Sequence, residues 1–200
     1  SRSERLLRRK KLMISAREVL TALYGALRLA RFDPSGLDFF EQTETGFWRS
    51  FFAAVLVAPF YLMLTSIRYS GLTETVPFVR FLAIETIAYV IAWVAFPLLM
   101  AALTRSLGRE AHYIRTIVAY NWAAMWQNAL YMPVAMLSVS GVLTAANANV
   151  LGLMALSLIV IYVWFVIKTA LEVSGGMAAG IVGIDFFLSI LINTIATGIR

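Results

Sequence analysis

"AYNWAAMWQNALYMP", residues 119–133, is the stretch on which the reading of the whole chain turns. Its flanks are apolar enough to sit in a bilayer, yet it holds Asn121, Gln127 and Asn128, two tryptophans and a proline. A polar side chain in hydrocarbon is costly, so it has to face protein or water. The reading is a membrane helix with one stripe turned toward the interior of a bundle. Asn121 and Asn128 are seven apart and share that stripe, whereas Gln127 points elsewhere.

The surrounding composition agrees. The chain has 200 residues, 60% of them apolar, and a mean hydropathy of +0.79, well above the roughly half-apolar content of a soluble domain. The excess is gathered into long runs, as in membrane spans. With no cysteine, disulfides, thiolate chemistry and cysteine-based metal sites are excluded. The single histidine, His112, lacks the partners of a zinc or iron site, so no metal or cofactor is expected. A net charge of +6 beside apolar runs is explained by the positive-inside rule, and nucleic acid is rejected as a partner.

Five apolar runs stand out, at about 47–68, 79–103, 112–138, 148–170 and 177–198. Each approaches or exceeds the ~20 residues that cross ~30 Å of hydrocarbon. They are continuous and do not alternate, so they read as helices and not barrel strands. The expected fold is an all-α integral membrane protein. Residues 1–46 form a cytoplasmic basic helix and juxtamembrane segment, and 47–200 a five-helix transmembrane domain. With the N-terminus inside, 14 Lys/Arg fall on the inner side and three, Arg68, Arg80 and Arg200, on the outer. That asymmetry predicts N-in, C-out. Arginine outnumbers lysine 14 to 3, which suits a GC-rich bacterial genome and hence a bacterial inner membrane.

The first 31 residues carry basic charge but no continuous apolar segment, so they are not read as a secretory signal. At 100° per residue Leu12, Ala16, Val19, Leu23, Leu27 and Ala30 share a face, opposite Lys10, Arg17, Thr21 and Arg28. With Arg8, Arg9 and Lys11 this reads as a basic amphipathic helix. It either lies in the headgroup plane against anionic lipid or packs on a protein partner or a second copy. "DPSG", Asp33 to Gly36, ends it in a turn.

Polar residues within the spans are the candidate site. Asn121 and Asp185 lie at similar depth on spans three and five, and Asn128, Asn193 and Glu85 form a second level nearer the outer side. The expectation is that Asn121 and Asn128 bond polar groups on spans two and five. Asp185 then pairs with Lys168 or Asn121, and Glu85 with Arg68 or Arg80. Such a stripe serves either as interhelical glue or as a path for an ion or small solute. Gly176 and Gly180 form a G-x-x-x-G with Gly183 nearby, which predicts close helix packing inside the chain. Pro59, Pro97 and Pro133 are expected to kink their helices. His112, beside Arg109, Glu110 and Tyr113, reads as an interfacial histidine bonded to backbone or lipid. No nucleophile arrangement, Walker motif or dinucleotide fingerprint is present, so an enzyme is not expected.

"YIRTIVAYNWAAMWQNALYMP", 113–133, and "ALEVSGGMAAGIVGIDFFLSILIN", 170–193, resemble the Yip1 family of small five-span membrane proteins over roughly residues 47 to 198. The "AYN" of Ala119–Asn121 followed by Pro133 is similar to that family's "AYS…P" pattern, while its eukaryotic "DLYGP" element is absent. The resemblance implies a five-helix bundle without catalysis, and no functional residues are carried over. The expected function is a scaffold, adaptor or membrane-organising subunit. The alternative is a small transporter or channel using Asn121 and Asp185.

Overall fold

A computed structural model describes residues 14–71 and 76–199. The basic residues Arg8, Arg9, Lys10 and Lys11 lie outside them. Among the described residues the chain is helical throughout, with no strand. The order is α1 (Ala16–Ala30), a 3-10 turn (Pro34–Phe39), α2 (Glu44–Ser50), α3 (Phe52–Ser70), α4 (Phe78–Ser106), α5 (Tyr113–Val139), α6 (Ala145–Leu171) and α7 (Gly175–Ile199). Only Phe51, itself in a right-handed helical conformation, separates α2 from α3, so Glu44–Ser70 runs as one rod.

Local chemistry sets the boundaries. Ser15 and Glu18 form a capping box at the start of α1: each side chain bonds the other's backbone N–H. Asp33 takes the N–H of Ser35 and positions Pro34 at the head of the 3-10 turn. Thr43 and Thr144 cap α2 and α6. Glu172 ends α6 in the left-handed region, at φ 54. The helices continue through Pro59, Pro97 and Pro133.

Four helices are long and apolar enough to cross a membrane: Glu44–Ser70, Phe78–Ser106, Ala145–Leu171 and Gly175–Ile199. The expected third span is a helix at the expected place and has 27 residues. It is the least apolar of the long helices, because Arg115, Thr116, Asn121, Gln127 and Asn128 fall along it.

That helix, α5, is the hub. It packs against α1, α2, α3, α4 and α6, while α7 packs on α6 and α4. One core joins Ala22, Ala26 and Leu29 of α1 to Val118, Ala119, Trp122 and Ala123 of α5 and to Tyr162, Val166 and Ala170 of α6. A second joins Phe96 and Met100 of α4, Ile117 of α5, Val163 and Ile167 of α6, and Ala178, Ile181 and Val182 of α7.

One expectation about a packing face, that of the α7 glycines, is corrected here, and the docked face of α1 is newly identified. In α1 the fully buried residues are Ala22, Gly25, Ala26 and Leu29, not the row of Val19, Leu23, Leu27 and Ala30, which is half-buried. Small residues let α1 approach the 3-10 turn, where a β-carbon on Gly25 would stand 2.7 Å from the Gly36 carbonyl oxygen. On α7 the glycines do the opposite. Gly176, Gly180 and Gly183 are exposed, and a β-carbon at any of them would meet nothing within 4 Å. Ala178, Ile181 and Val182 turn toward the bundle, which rotates the glycine face outward at 100° per residue.

Candidate functional site

The polar groups of the long helices end on four separate partners. Asn121 is fully buried, and its amide donates to the Ser50 hydroxyl at the end of α2 (2.8 Å). Ser50 in turn donates to the Phe47 carbonyl (2.7 Å), and Asn121 Oδ1 is left buried without a hydrogen bond. Asn128 donates to the Ala124 carbonyl of its own helix (2.8 Å). The two asparagines do share a stripe, but it faces α2 and α3: Asn128 lines a 400 Å³ apolar cavity with Leu56, Val57 and Phe60 of α3. The expected bonds to spans two and five are therefore replaced by one to span one and one within α5.

Asp185 accepts from the Tyr120 hydroxyl at 2.9 Å, and neither Lys168 nor Asn121 is its partner. Tyr120 is stacked on Phe96, with ring centroids 4.0 Å apart, so the pair sits where α4, α5 and α7 meet. The Lys168 ammonium lies over the Trp164 ring instead, 5.0 Å from its centroid. Glu85 is more deeply buried than expected, 4% exposed, and accepts from Tyr61 at 2.6 Å. The Arg68 guanidinium reaches Tyr131 (3.5 Å) and Arg80 reaches the Ile199 carbonyl (2.8 Å). Asn193 is exposed, and its carbonyl takes the Thr197 hydroxyl. It joins no cluster. The partners missing from the sequence reading are hydroxyls: Ser50, Tyr61 and Tyr120. A buried carboxylate or amide needs a donor or acceptor, and the signal available in the sequence is the presence of hydroxyl-bearing residues within the apolar runs.

Charge is concentrated at the end where α5 begins. His112, expected to bond backbone or lipid, has its Nε2 3.3 Å from Glu172 Oε2. Arg115 donates to the other Glu172 oxygen (2.8 Å) and to the Ala170 carbonyl (2.8 Å), clamping the last turn of α6. Hydrogen bonding and charge from Arg115 hold the Glu172 carboxyl below its ordinary value. Nearby, Arg49 reaches both Glu18 (3.0 Å) and Glu41 (3.2 Å). The Ser15 N–H, with help from Arg49, keeps the Glu18 carboxyl low. Arg17, Glu18, Glu41, Arg49 and Trp122 line a 170 Å³ cavity there. Arg28 pairs with Asp33 (Nε to Oδ2, 2.7 Å) and lies over the Tyr24 and Phe39 rings.

Among the described residues no three His, Cys, Asp or Glu side chains come together to hold a metal ion. Comparison with protein-family models, with curated proteins and with solved structures finds no match to this chain.

Proposed function

We propose that the chain is a non-enzymatic integral membrane scaffold or adaptor, with five spans and the α1 end in the cytosol. It resembles the Yip1 family in the stretches quoted above. The fifth span in this reading is α5. Its length suffices, and its amides are tolerated because neighbouring helices enclose them. Orientation rests on the basic residues: Arg49, Arg105, Arg109, Arg115 and Lys168 all lie toward one end. A bacterial inner membrane remains the expected location.

One observation carries the non-transporting reading. Asn121–Ser50, Asp185–Tyr120 and Glu85–Tyr61 are bonds between helices and Asn128–Ala124 a bond within α5, so each of the four side chains is held by protein. Paired polar groups of this kind act as interhelical ties worth about 0.6 kcal/mol each, while a solute path needs groups left open to water. The second reading, a small transporter, is favoured by Asp185 and Glu85, ionisable residues inside spans. In mild detergent the purified chain should carry a stoichiometric partner that is lost when residues 1–31 are deleted and kept in Asp185→Asn. Proteoliposomes in which the native chain carries an ion or proton flux, abolished in a still-folded Asp185→Asn, would decide for the transporter.

A further inference from the structure

The surface of α1 divides into three sectors. Ala22, Gly25, Ala26 and Leu29 face the protein. Arg17, Thr21 and Arg28 form a polar row. Between these, on the remaining side, run Leu20, Tyr24 and Leu27, with Leu20 67% and Tyr24 49% exposed and Arg31 at the end of the row, while Leu23 packs on the core. The apolar row continues into Phe32, half exposed and edge-on to Phe165 of α6. A helix on a water-facing surface would not turn this row outward.

The level of α1 follows from its bonds. The rod Glu44–Ser70 is longer than a hydrocarbon core is thick; with Ser70, beside Arg68, at the outer edge, ~30 Å counts back about 20 residues and places the other edge at Ser50. Asn121 is level with it through their hydrogen bond, and from Asn121 to Val139 α5 rises a further ~27 Å. Trp126, five residues beyond Asn121, is ~7–8 Å inside the edge, and its indole donates to the Leu23 carbonyl of α1 (2.9 Å). The Tyr162 hydroxyl donates to the next turn, at the Ala26 carbonyl (2.7 Å). This depth falls within the ~5–10 Å at which amphipathic helices lie in an interface.

We infer that α1 is a fixed element of one leaflet: two side-chain bonds lock its small-residue face to α5 and α6, and lipid acyl chains cover the exposed Leu20 and Tyr24 and the half-buried Leu27 beside them. The inference rests on the membrane reading above and goes beyond it in naming the depth, the residues and the permanence of the contact. The ligand is the acyl region of the leaflet on the Arg49 side. Arg17, on the adjoining polar row, sits at headgroup level, where cationic side chains meet lipid phosphates, while Arg28 is held by Asp33.

The chain lacks cysteine, so single-cysteine variants report cleanly. Leu20→Cys, Tyr24→Cys, Arg17→Cys and, as a span control, Val90→Cys on α4 are labelled with a small fluorophore in phosphatidylcholine–phosphatidylglycerol vesicles. Chain-brominated lipid should quench the Leu20 and Tyr24 labels several-fold more than aqueous iodide does, with the order reversed at Arg17. Iodide quenching at Leu20 and Tyr24 equal to that at Arg17, with Val90 still lipid-quenched, would overturn the inference and leave the membrane reading standing. Iodide access to Val90 would overturn both. Disulfide-linked dimers through Leu20→Cys would assign the row to a second copy and overturn the lipid assignment.

Discussion

The two halves of the bundle are built differently. Toward the α1 end, Leu29, Met100, Ile117, Val118, Val166, Ile167 and Leu171 are fully buried and three helices are tied by side-chain bonds. Toward the opposite end, Val150, Leu153, Met154 and Leu158 of α6 and Ile195 and Ile199 of α7 are exposed. The charged residues gather at the α1 end, so the better-buried half is not the more apolar one. In a bilayer, lipid is as apolar as leucine, and helices associate through close packing and hydrogen bonds. The first half has Gly25, Gly36, Ala22 and Ala26 to permit close approach and Tyr162, Trp126 and Arg115 to exploit it.

That contrast is open to attack by substitution, with unfolding followed in detergent by circular dichroism. The largest effect is expected from Gly25→Val, whose β-carbon has a backbone oxygen in its way. Overpacking of this kind costs about 1–3 kcal/mol, and the midpoint should drop accordingly. Next comes Tyr162→Phe, which removes the bond to Ala26 and should cost about 1 kcal/mol. Its counterpart in the other half, Tyr131→Phe, loses only a 3.5 Å exposed contact with Arg68 and should leave the midpoint in place. Acid should loosen the α1 end. The folded state holds the Glu172 carboxyl below its ordinary value, so its contribution is complete at neutral pH. It is lost as pH falls from the ordinary glutamate range, about 4.3, through the lowered value. Glu18 acts with the same sign. A pH titration of the midpoint should show this fall, and Glu172→Gln should reduce it. The smallest effect is expected at Gly180→Val, within about 0.5 kcal/mol, because the added methyls enter open space. A large loss there would mean that the exposed glycine face is covered after all.

Much of this architecture is legible in the residues. Long apolar runs give each helix to within a few positions, because hydrocarbon length fixes helix length, and the DPSG turn falls where α1 ends. Faces are harder. The heavy leucines of α1 suggest the packed side, but close approach favours alanine and glycine, so the lighter side docks and the leucines remain outside. The site was legible as a set of residues, not as a set of pairs. Asp185 and Tyr120 lie 65 positions apart, and Glu85 and Tyr61 lie 24 apart. Pairing at such separations depends on helix rotation, which a weakly periodic, nearly all-apolar sequence leaves unspecified.

The bond between Tyr162 and Ala26 joins residues 136 positions apart. At ~5–20 residues per second, synthesis leaves α1 waiting roughly 7–27 s for that hydroxyl. α1 is therefore made long before its seat on α6 is complete, whereas Ser50 can satisfy itself on Phe47 while Asn121 is still to come. Nascent chains halted before α6 should hold α1 by its α5 contacts alone, leaving it more open to proteases and chaperones than after α6 is complete.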